Sequence, residues 1–397
     1  MRILFLSAWY PFPANNGIKL RLYNLLRGLA AEHEITLISY ADEPTANPDA
    51  PEMRALCHRI ELIPVRWFRP NSLKARLAFF RLTPRSVIDT YLPEMEVRIR
   101  QVLADGPYDV IVAAETRMAG YVAAFGATPA LFEDVETFVI YDEYAQATSE
   151  KARLRYGLTW WKQRRYLRHL LAQFAAATVV SQAEQLLVQR HVLGDDRYPI
   201  YVIPNCMDVP AYQDVVPAPQ PNTLVFAGSF SYFPNHEAMV WFIEQVLPLV
   251  QAQIPDVRLL ITGNRADKPL PPNTAVTHLG FVDDVRQVVA DAWVSVAPFL
   301  AGSGTRLKVL EAMALHTPVV ATRKGAEGIA AQDGREILLA DTAEEFATAV
   351  VSLLQDPTLR QTITENAYRL VESEYNWTAV WPRYNQLLAE ICHTPVP

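Results

Sequence analysis

Short apolar runs alternate with longer amphipathic stretches along the first half of the chain. Residues 3–6, 35–39, 110–113, 130–132 and 178–181 read as strands, and 23–31 between the first two reads as a helix. A proline-rich segment, 204–222, can continue neither a helix nor a central strand and reads as a linker. Beyond it the alternation restarts, with strands at 224–227, 258–262, 294–297 and 319–322 and helices at 235–253, 285–292, 307–315 and 343–355. The pattern predicts parallel sheets with helices on both faces: an amino-terminal domain over 1–203, the linker, and a second domain over 223–375. The end segment, 376–397, carries an aromatic-rich amphipathic helix over 377–391 that crosses back to the first domain. Two such Rossmann-like, doubly wound α/β domains facing across a cleft suit a two-part substrate, because ligands of open α/β sheets bind beyond the carboxyl ends of the strands.

The 397 residues suffice for two cores, and they carry 36 basic and 43 acidic side chains for a net charge of −7. An acidic total argues against a general nucleic-acid binder, which needs a cationic excess to gain from counterion release. The total hides an uneven distribution, since the first 200 residues sum to +2 and the rest to −9. Cys57, Cys206 and Cys392 stand far apart, without CxxC spacing or a Cys/His cluster. This spacing predicts neither a disulfide framework nor a zinc site, and it fits a reduced cytoplasm. The opening MRILFLSAWYPFP has too short an apolar run for a signal peptide, and no stretch approaches the roughly 20 apolar residues that span a bilayer. Membrane contact is therefore expected to be peripheral, at the inner face.

The most informative segment is 294–322, VSVAPFLAGSGTRLKVLEAMALHTPVVAT. After the strand come Gly302, Ser303, Gly304 and Thr305, then a helix carrying Arg306 and Lys308 near its start and Glu311 further in. Glycines ahead of a helix let a ligand approach the backbone, and first-turn N–H groups favour anionic oxygens. Cations placed there oppose the helix dipole, which suggests an anionic partner from outside the chain. A solvated turn is the plain alternative.

Residues 224–329 resemble the donor-binding half of retaining glycosyltransferases of family 4, which have the GT-B fold. The resemblance rests on LVFAGSFSYFPN (224–235), LLITGN (259–264), HLGFVDDV (278–285), SGTRLKVLEAMA (303–314), PVVAT (318–322) and GAEGI (325–329). It implies transfer of a hexosyl-type sugar from a nucleotide diphosphate sugar to an acceptor hydroxyl with retained configuration, in polysaccharide or glycolipid synthesis. That family's Glu-x7-Glu signature binds the donor; the second Glu corresponds to Glu311 and contacts ribose hydroxyls. Ser303 stands at the first position, which weakens any inference about the donor sugar from it. The turn at Gly228, Ser229 and Phe230 is expected to contact the donor, but the Arg and Lys that commonly follow the first strand of this domain are missing from it. Arg306 and Lys308, in a TRLK variant of the loop, are then expected to neutralise the diphosphate as charge develops on it. The nucleotide base is expected near the backbone of Gly280, Phe281 and Val282. No metal is expected, since Asp283 and Asp284 look structural, and no cofactor is needed beyond the donor substrate.

The amino-terminal half matches less sharply. Residues 7–39 resemble the loop and helix that face the acceptor, with Asn16 and Gly17 on the acceptor side and Gly17 where the chain comes near the donor phosphates; a plain tight turn at Asn15, Asn16 and Gly17 accounts for them equally well. Glu133, Asp134 and Glu136 after the strand at 130–132 are candidates to orient acceptor hydroxyls, with Glu115 after the preceding strand as a further one. Helix caps and solvated loops are the competing explanation for such acids. Finally, residues 62–88 hold six basic residues and 151–183 seven, with no acid in either window and with Trp67, Phe68, Phe79, Phe80, Trp160 and Trp161 interleaved. Such segments suit an anionic membrane surface and a sugar or lipid-linked acceptor; helices with solvated charges are the alternative. A nucleotide-sugar epimerase of the same fold and a silent nucleotide-sugar-binding scaffold are the competing functions.

Overall fold

A computed structural model describes residues 1–301 and 306–393. The chain divides into two compact units: Met1–Pro204 together with the chain from Trp381 onward, and Asn205–Val380. The segment from 205 to 222, expected as a free linker, belongs to the second unit.

In the first unit seven parallel strands form one sheet: β1 (Arg2–Ser7), β2 (Glu34–Ala41), β3 (Arg59–Pro64), β4 (Val110–Ala114), β5 (Ala130–Glu133), β6 (Ala176–Val179) and β7 (Ile200–Val202), in the order β3-β2-β1-β4-β5-β6-β7. In the second unit β8 (Gln220–Ala227), β9 (Arg258–Thr262), β10 (Val276–Gly280), β11 (Ala292–Ala297), β12 (Val319–Ala321) and β13 (Leu338–Leu339) run β10-β9-β8-β11-β12-β13. The first six strands of each sheet thus share one doubly wound order. Its reversal falls between β1 and β4 in one unit and between β8 and β11 in the other. Central strands such as β1 and β4 are buried along nearly their whole length, as parallel strands covered on both faces must be.

The helices that matter for the site are α1 (Gly17–Ala30), α2 (Glu150–Leu171), α3 (Leu307–Ala314) and α4 (Trp377–Cys392). α1 begins where Asn16 Oδ1 accepts the Lys19 N–H at 3.0 Å, an N-cap. The helix expected over 235–253 is instead Phe233–Trp241 and Leu247–Gln251 joined by a wide turn at Phe242–Val246. Pro248 lacks the N–H that a continuous helix would use and would clash with the carbonyl of Glu244.

α4 starts in the second unit, where the Trp377 N–H donates to the Met207 carbonyl at 3.1 Å. From Trp381 it packs in the first. The Trp381 Nε1 donates to the Asn24 carbonyl at 2.8 Å, and Arg27 lies over the indole ring. Gly28 makes that contact possible, because a Cβ there would stand 2.1 Å from the Trp381 Cδ1.

Candidate active site

In the second unit a cavity of about 490 Å³ opens at the carboxyl ends of β8 and β9. Gly228, Ser229, Phe281, Val282 and Glu311 line it, together with Ser231, Thr262, Gly263 and Asn264. Two glycines shape its floor. Gly263 has φ +102°, and a Cβ on it would lie 2.6 Å from the backbone of Gly228 and Ser229. A Cβ at Gly228 would lie 2.6 Å from the Lys308 Nζ and 2.9 Å from the Asn235 Nδ2. The turns after β8 and β9 can therefore meet only as glycines.

α3 places the charged groups. Arg306, the residue before its first turn, is 6% exposed; its guanidinium lies over the Phe299 ring and its Nη2 donates to the Ala301 carbonyl at 3.2 Å, while its Nε has no partner. Lys308 lies over Phe226 and Phe299 and donates to Asn235 Oδ1 at 2.9 Å; Asn235 Nδ2 in turn donates to the Ser229 carbonyl at 2.6 Å. Neither cation forms an ion pair with a carboxylate among the described residues. Burial pushes the Lys308 ammonium down to about 7, helped by the Arg306 charge and opposed by Glu311. Glu311 accepts the Tyr212 hydroxyl at 3.2 Å, and burial raises its carboxyl above the usual range. Two desolvated cations without a counterion, beside a carboxylate that can accept hydroxyl protons, can hold a polyphosphate and a diol.

Gly302, Ser303, Gly304 and Thr305 lie outside the described residues. The helix expected to carry Arg306 near its start begins at Leu307, which puts Arg306 in the cap position rather than in the first turn. Phe230 was expected to contact the donor but is fully buried, stacked edge-on against His236; only its backbone faces this region, its N–H donating to the Asn264 carbonyl at 2.8 Å. Gly280 ends β10 with φ +76°, and its carbonyl accepts the Gly263 N–H at 2.7 Å, so it ties the turns together. Asp284 caps the next helix and pairs with Arg286 at 2.7 Å, the structural role expected of it. Among the described residues no group of His, Cys, Asp and Glu is arranged to hold a metal ion. Asn235, Tyr212 and Gly263 escaped the sequence reading. Gly263 carried a signal, a glycine directly after a strand; the other two are set by contacts from 73 and 99 residues away.

In the first unit the corresponding strand ends hold acids. Glu115 follows β4 with φ +67° and Asp134 follows β5 with φ +60°, left-handed conformations that are uncommon for residues with a side chain. Glu115 accepts from the Trp9 Nε1 at 3.2 Å, which ties the ends of β1 and β4 together across the point of reversal. A cavity of about 440 Å³ next to it is lined by Trp67, Tyr91, Arg117, Glu136 and Thr137 among others, and the Thr137 hydroxyl is buried without a partner. Burial, reinforced by the charges of Asp134 and Glu136, holds the Glu115 carboxyl at about 8. Asp134 is pushed up to about 6 by burial, with Arg21 opposing.

Glu133 is different. It is fully buried, with Oε1 accepting from Arg21 Nη2 at 2.6 Å and Nε at 3.0 Å, and Oε2 from Thr178 Oγ1 at 2.6 Å and Tyr384 OH at 3.0 Å. Its acceptor sites are filled by the protein, so this carboxylate joins α1, β6 and α4 instead of meeting an acceptor. Asn16 is the α1 cap and Gly17 its exposed first residue, without the positive φ that a tight-turn role would require.

A family model described as "Glycosyl transferases group 1" matches residues 221–356, and one described as "Glycosyl transferase 4-like domain" matches 16–206. The chain is 26% identical over 395 residues to a phosphatidyl-myo-inositol mannosyltransferase of Mycolicibacterium smegmatis, covering 94% of this chain and 89% of that one. It superposes on sucrose-phosphate synthase from Thermosynechococcus elongatus with a TM-score of 0.70 at 18% identity, over 98% and 99% of the two chains. With Anabaena HepE in complex with UDP the TM-score is 0.67 at 16% identity, over 98% and 100%. The doubly wound order found in each unit, and a family match to each half, lead to one assignment: the chain is a glycosyltransferase of the GT-B fold.

Proposed function

We propose that the enzyme is a retaining hexosyltransferase that takes a sugar from a nucleoside diphosphate donor held in the second unit and delivers it to a hydroxyl of a sugar or lipid-linked acceptor. The observation that carries this reading is the pair Arg306 and Lys308: two buried cations without a carboxylate partner among the described residues, at the start of the helix that brings Glu311 to the strand-end cavity, with the Lys308 Nζ close behind its Gly228 wall. The structurally similar HepE was solved with UDP, and the mannosyltransferase relative is named for a phosphoinositide, which supports a nucleoside diphosphate donor and an acceptor in glycolipid synthesis.

The diphosphate leaves between Arg306 and Lys308, which offset its growing charge. Glu311 accepts from the ribose hydroxyls while Tyr212 fixes its orientation. In a front-face retaining reaction the departing phosphate oxygen takes the acceptor proton, so the protein supplies position and charge, not a covalent nucleophile. Glu115, Asp134 and Glu136 at the strand ends of the first unit orient the acceptor hydroxyls. A thermal-shift panel of nucleoside diphosphate sugars, followed by product analysis of the anomeric configuration, tests the reading; no shift with any donor, or an inverted product, overturns it.

The reading extends to an anionic membrane at the inner face. Among the described residues no helix is long and apolar enough to cross a bilayer. The two basic windows meet in the first unit: Lys162 donates to the Phe79 carbonyl and lies over that ring. Leu77, Phe80 and Leu154, respectively 62%, 86% and 79% exposed, stand among these cations, a composition suited to lipid headgroups and the interface below them. Flotation with anionic vesicles at low salt checks this, and failure to float ends it.

A further inference from the structure

Within that cationic region lies a discrete cavity which the donor and acceptor sites do not use. Trp161, Arg164, Arg165, Arg168 and His169 fall at helical spacing on α2, so the turns of one helix stack them along one wall. Tyr166 of the same helix, Leu82 and Thr83 from the other basic window, and Val192 complete a cavity of about 580 Å³. No acidic residue lines it. None of the three arginines forms an ion pair among the described residues; Asp195, the acid whose field Arg168 reaches, is already bonded to Arg197 at 3.0 Å.

Guanidinium groups stacked on one helical face repel one another, and among the described residues no carboxylate lies between them. Their planar forks match phosphate oxygens, and several together favour a group of two or more charges over a carboxylate. The volume exceeds what a single phosphate fills and admits a diphosphate. Leu82, 54% exposed, and Trp161, 41% exposed, give the cavity an apolar lip.

We propose that this cavity is a binding site for a phosphate monoester or diphosphate group, as found on a lipid headgroup or on a soluble phosphorylated sugar. This goes further than contact between a charged face and a membrane: a site saturates and discriminates among anions of equal total charge. It does not rest on sugar transfer, and its test does not use turnover.

The test compares the full chain with Arg164→Gln/Arg168→Gln and with Lys151→Gln/Arg153→Gln, which removes the same charge from the same helix outside the cavity. Each is titrated with inorganic pyrophosphate by calorimetry in an Arg306→Ala background, to reduce binding at the donor site. Each is also floated with vesicles of phosphatidic acid or phosphatidylglycerol matched in surface charge. Expected are saturable pyrophosphate binding, weakened about tenfold or more by the cavity variant and less than about twofold by the other. A preference for phosphatidic acid that disappears in the cavity variant identifies a lipid source; pyrophosphate binding without that preference identifies a soluble one. Equal weakening by both variants, or no saturable binding, overturns the site while leaving the vesicle reading to its own experiment.

Discussion

The Nζ of Lys308 donates to the Oδ1 of Asn235 across 2.9 Å, although the residues lie 73 positions apart, and Asn235 in turn holds the carbonyl of Ser229. A neutral amide is thus the nearest hydrogen-bond partner of a desolvated ammonium. An amide fixes the direction of the lysine without cancelling its charge, which leaves that charge for a ligand.

In the unliganded protein Lys308 loses its proton near 7, well below the ordinary lysine value. A bound diphosphate favours the charged form, so binding above that pH takes up a proton and weakens as pH rises from 7 to 9. Calorimetry with UDP in buffers of different ionisation enthalpy should show this uptake, and Lys308→Arg should flatten the profile. A pH-independent affinity in the wild type would remove Lys308 from the site.

Arg306→Ala should lower turnover about a hundredfold or more, the scale on which a group facing developing charge is felt, while the melting temperature falls only slightly. Arg306 donates to one carbonyl and forms no ion pair among the described residues, so folding loses little with it. Unaltered kinetics would sink the assignment.

Glu133 and Asp134 are neighbours with opposite expected behaviour. Glu133→Gln removes the carboxylate that Arg21 meets at 2.6 Å inside the first unit and should destabilise that unit by about 3–5 kcal/mol. Asp134→Asn removes a carboxyl that is costly to ionise, so thermal stability should hold or rise at pH 8 while transfer to acceptor falls. Equal losses of stability in both would refute the division of roles.

Glu115 sets a pH dependence of stability. Its folded value of about 8 lies above its ordinary one, so the stability it contributes is full below about pH 4.5 and is lost as pH rises through 8. Glu184, held at about 8 by burial and the Asp134 charge, acts in the same direction. Thermal melts should therefore fall between pH 5 and 9, and Glu115→Gln, which keeps an acceptor oxygen for Trp9, should recover about 2 °C or more at pH 9 with no gain at pH 5. Parallel pH curves for the two proteins would contradict the assignment.

Gly263→Ala tests the floor of the cavity at the ends of β8 and β9. Both the φ of +102° and a 2.6 Å approach to backbone oppose a side chain, so the turn at Gly228 and Ser229 must shift. A loss of about 1–3 kcal/mol with nucleotide binding weakened more than tenfold is expected. Unchanged nucleotide affinity would show that the cavity tolerates that movement.

The central strands were legible in the sequence because a parallel strand covered on both faces must be apolar along its length. The strands that escaped, β3, β7, β10 and β13, are the four sheet edges. An edge is half solvated, as the largely exposed pattern of β10 shows, and so loses the continuous run that marks a strand. The placement of Arg306 and Lys308 was equally local, since cations beside a helix start and a glycine loop are visible as a string. Which carboxylates are free was not. Glu133, Asp134 and Glu136 read alike in sequence, and only packing fills the first with Arg21, Thr178 and Tyr384 from residues up to 251 positions away. The chain alone determined the alternation of elements, the α/β class with parallel sheets, and the charge type of the segment 306–308, because these follow from periodicity and local chemistry. Tertiary structure decided which charges are paired, which glycines are close approaches, and that two separate basic windows share one region, because each depends on distances between residues that sequence order does not encode.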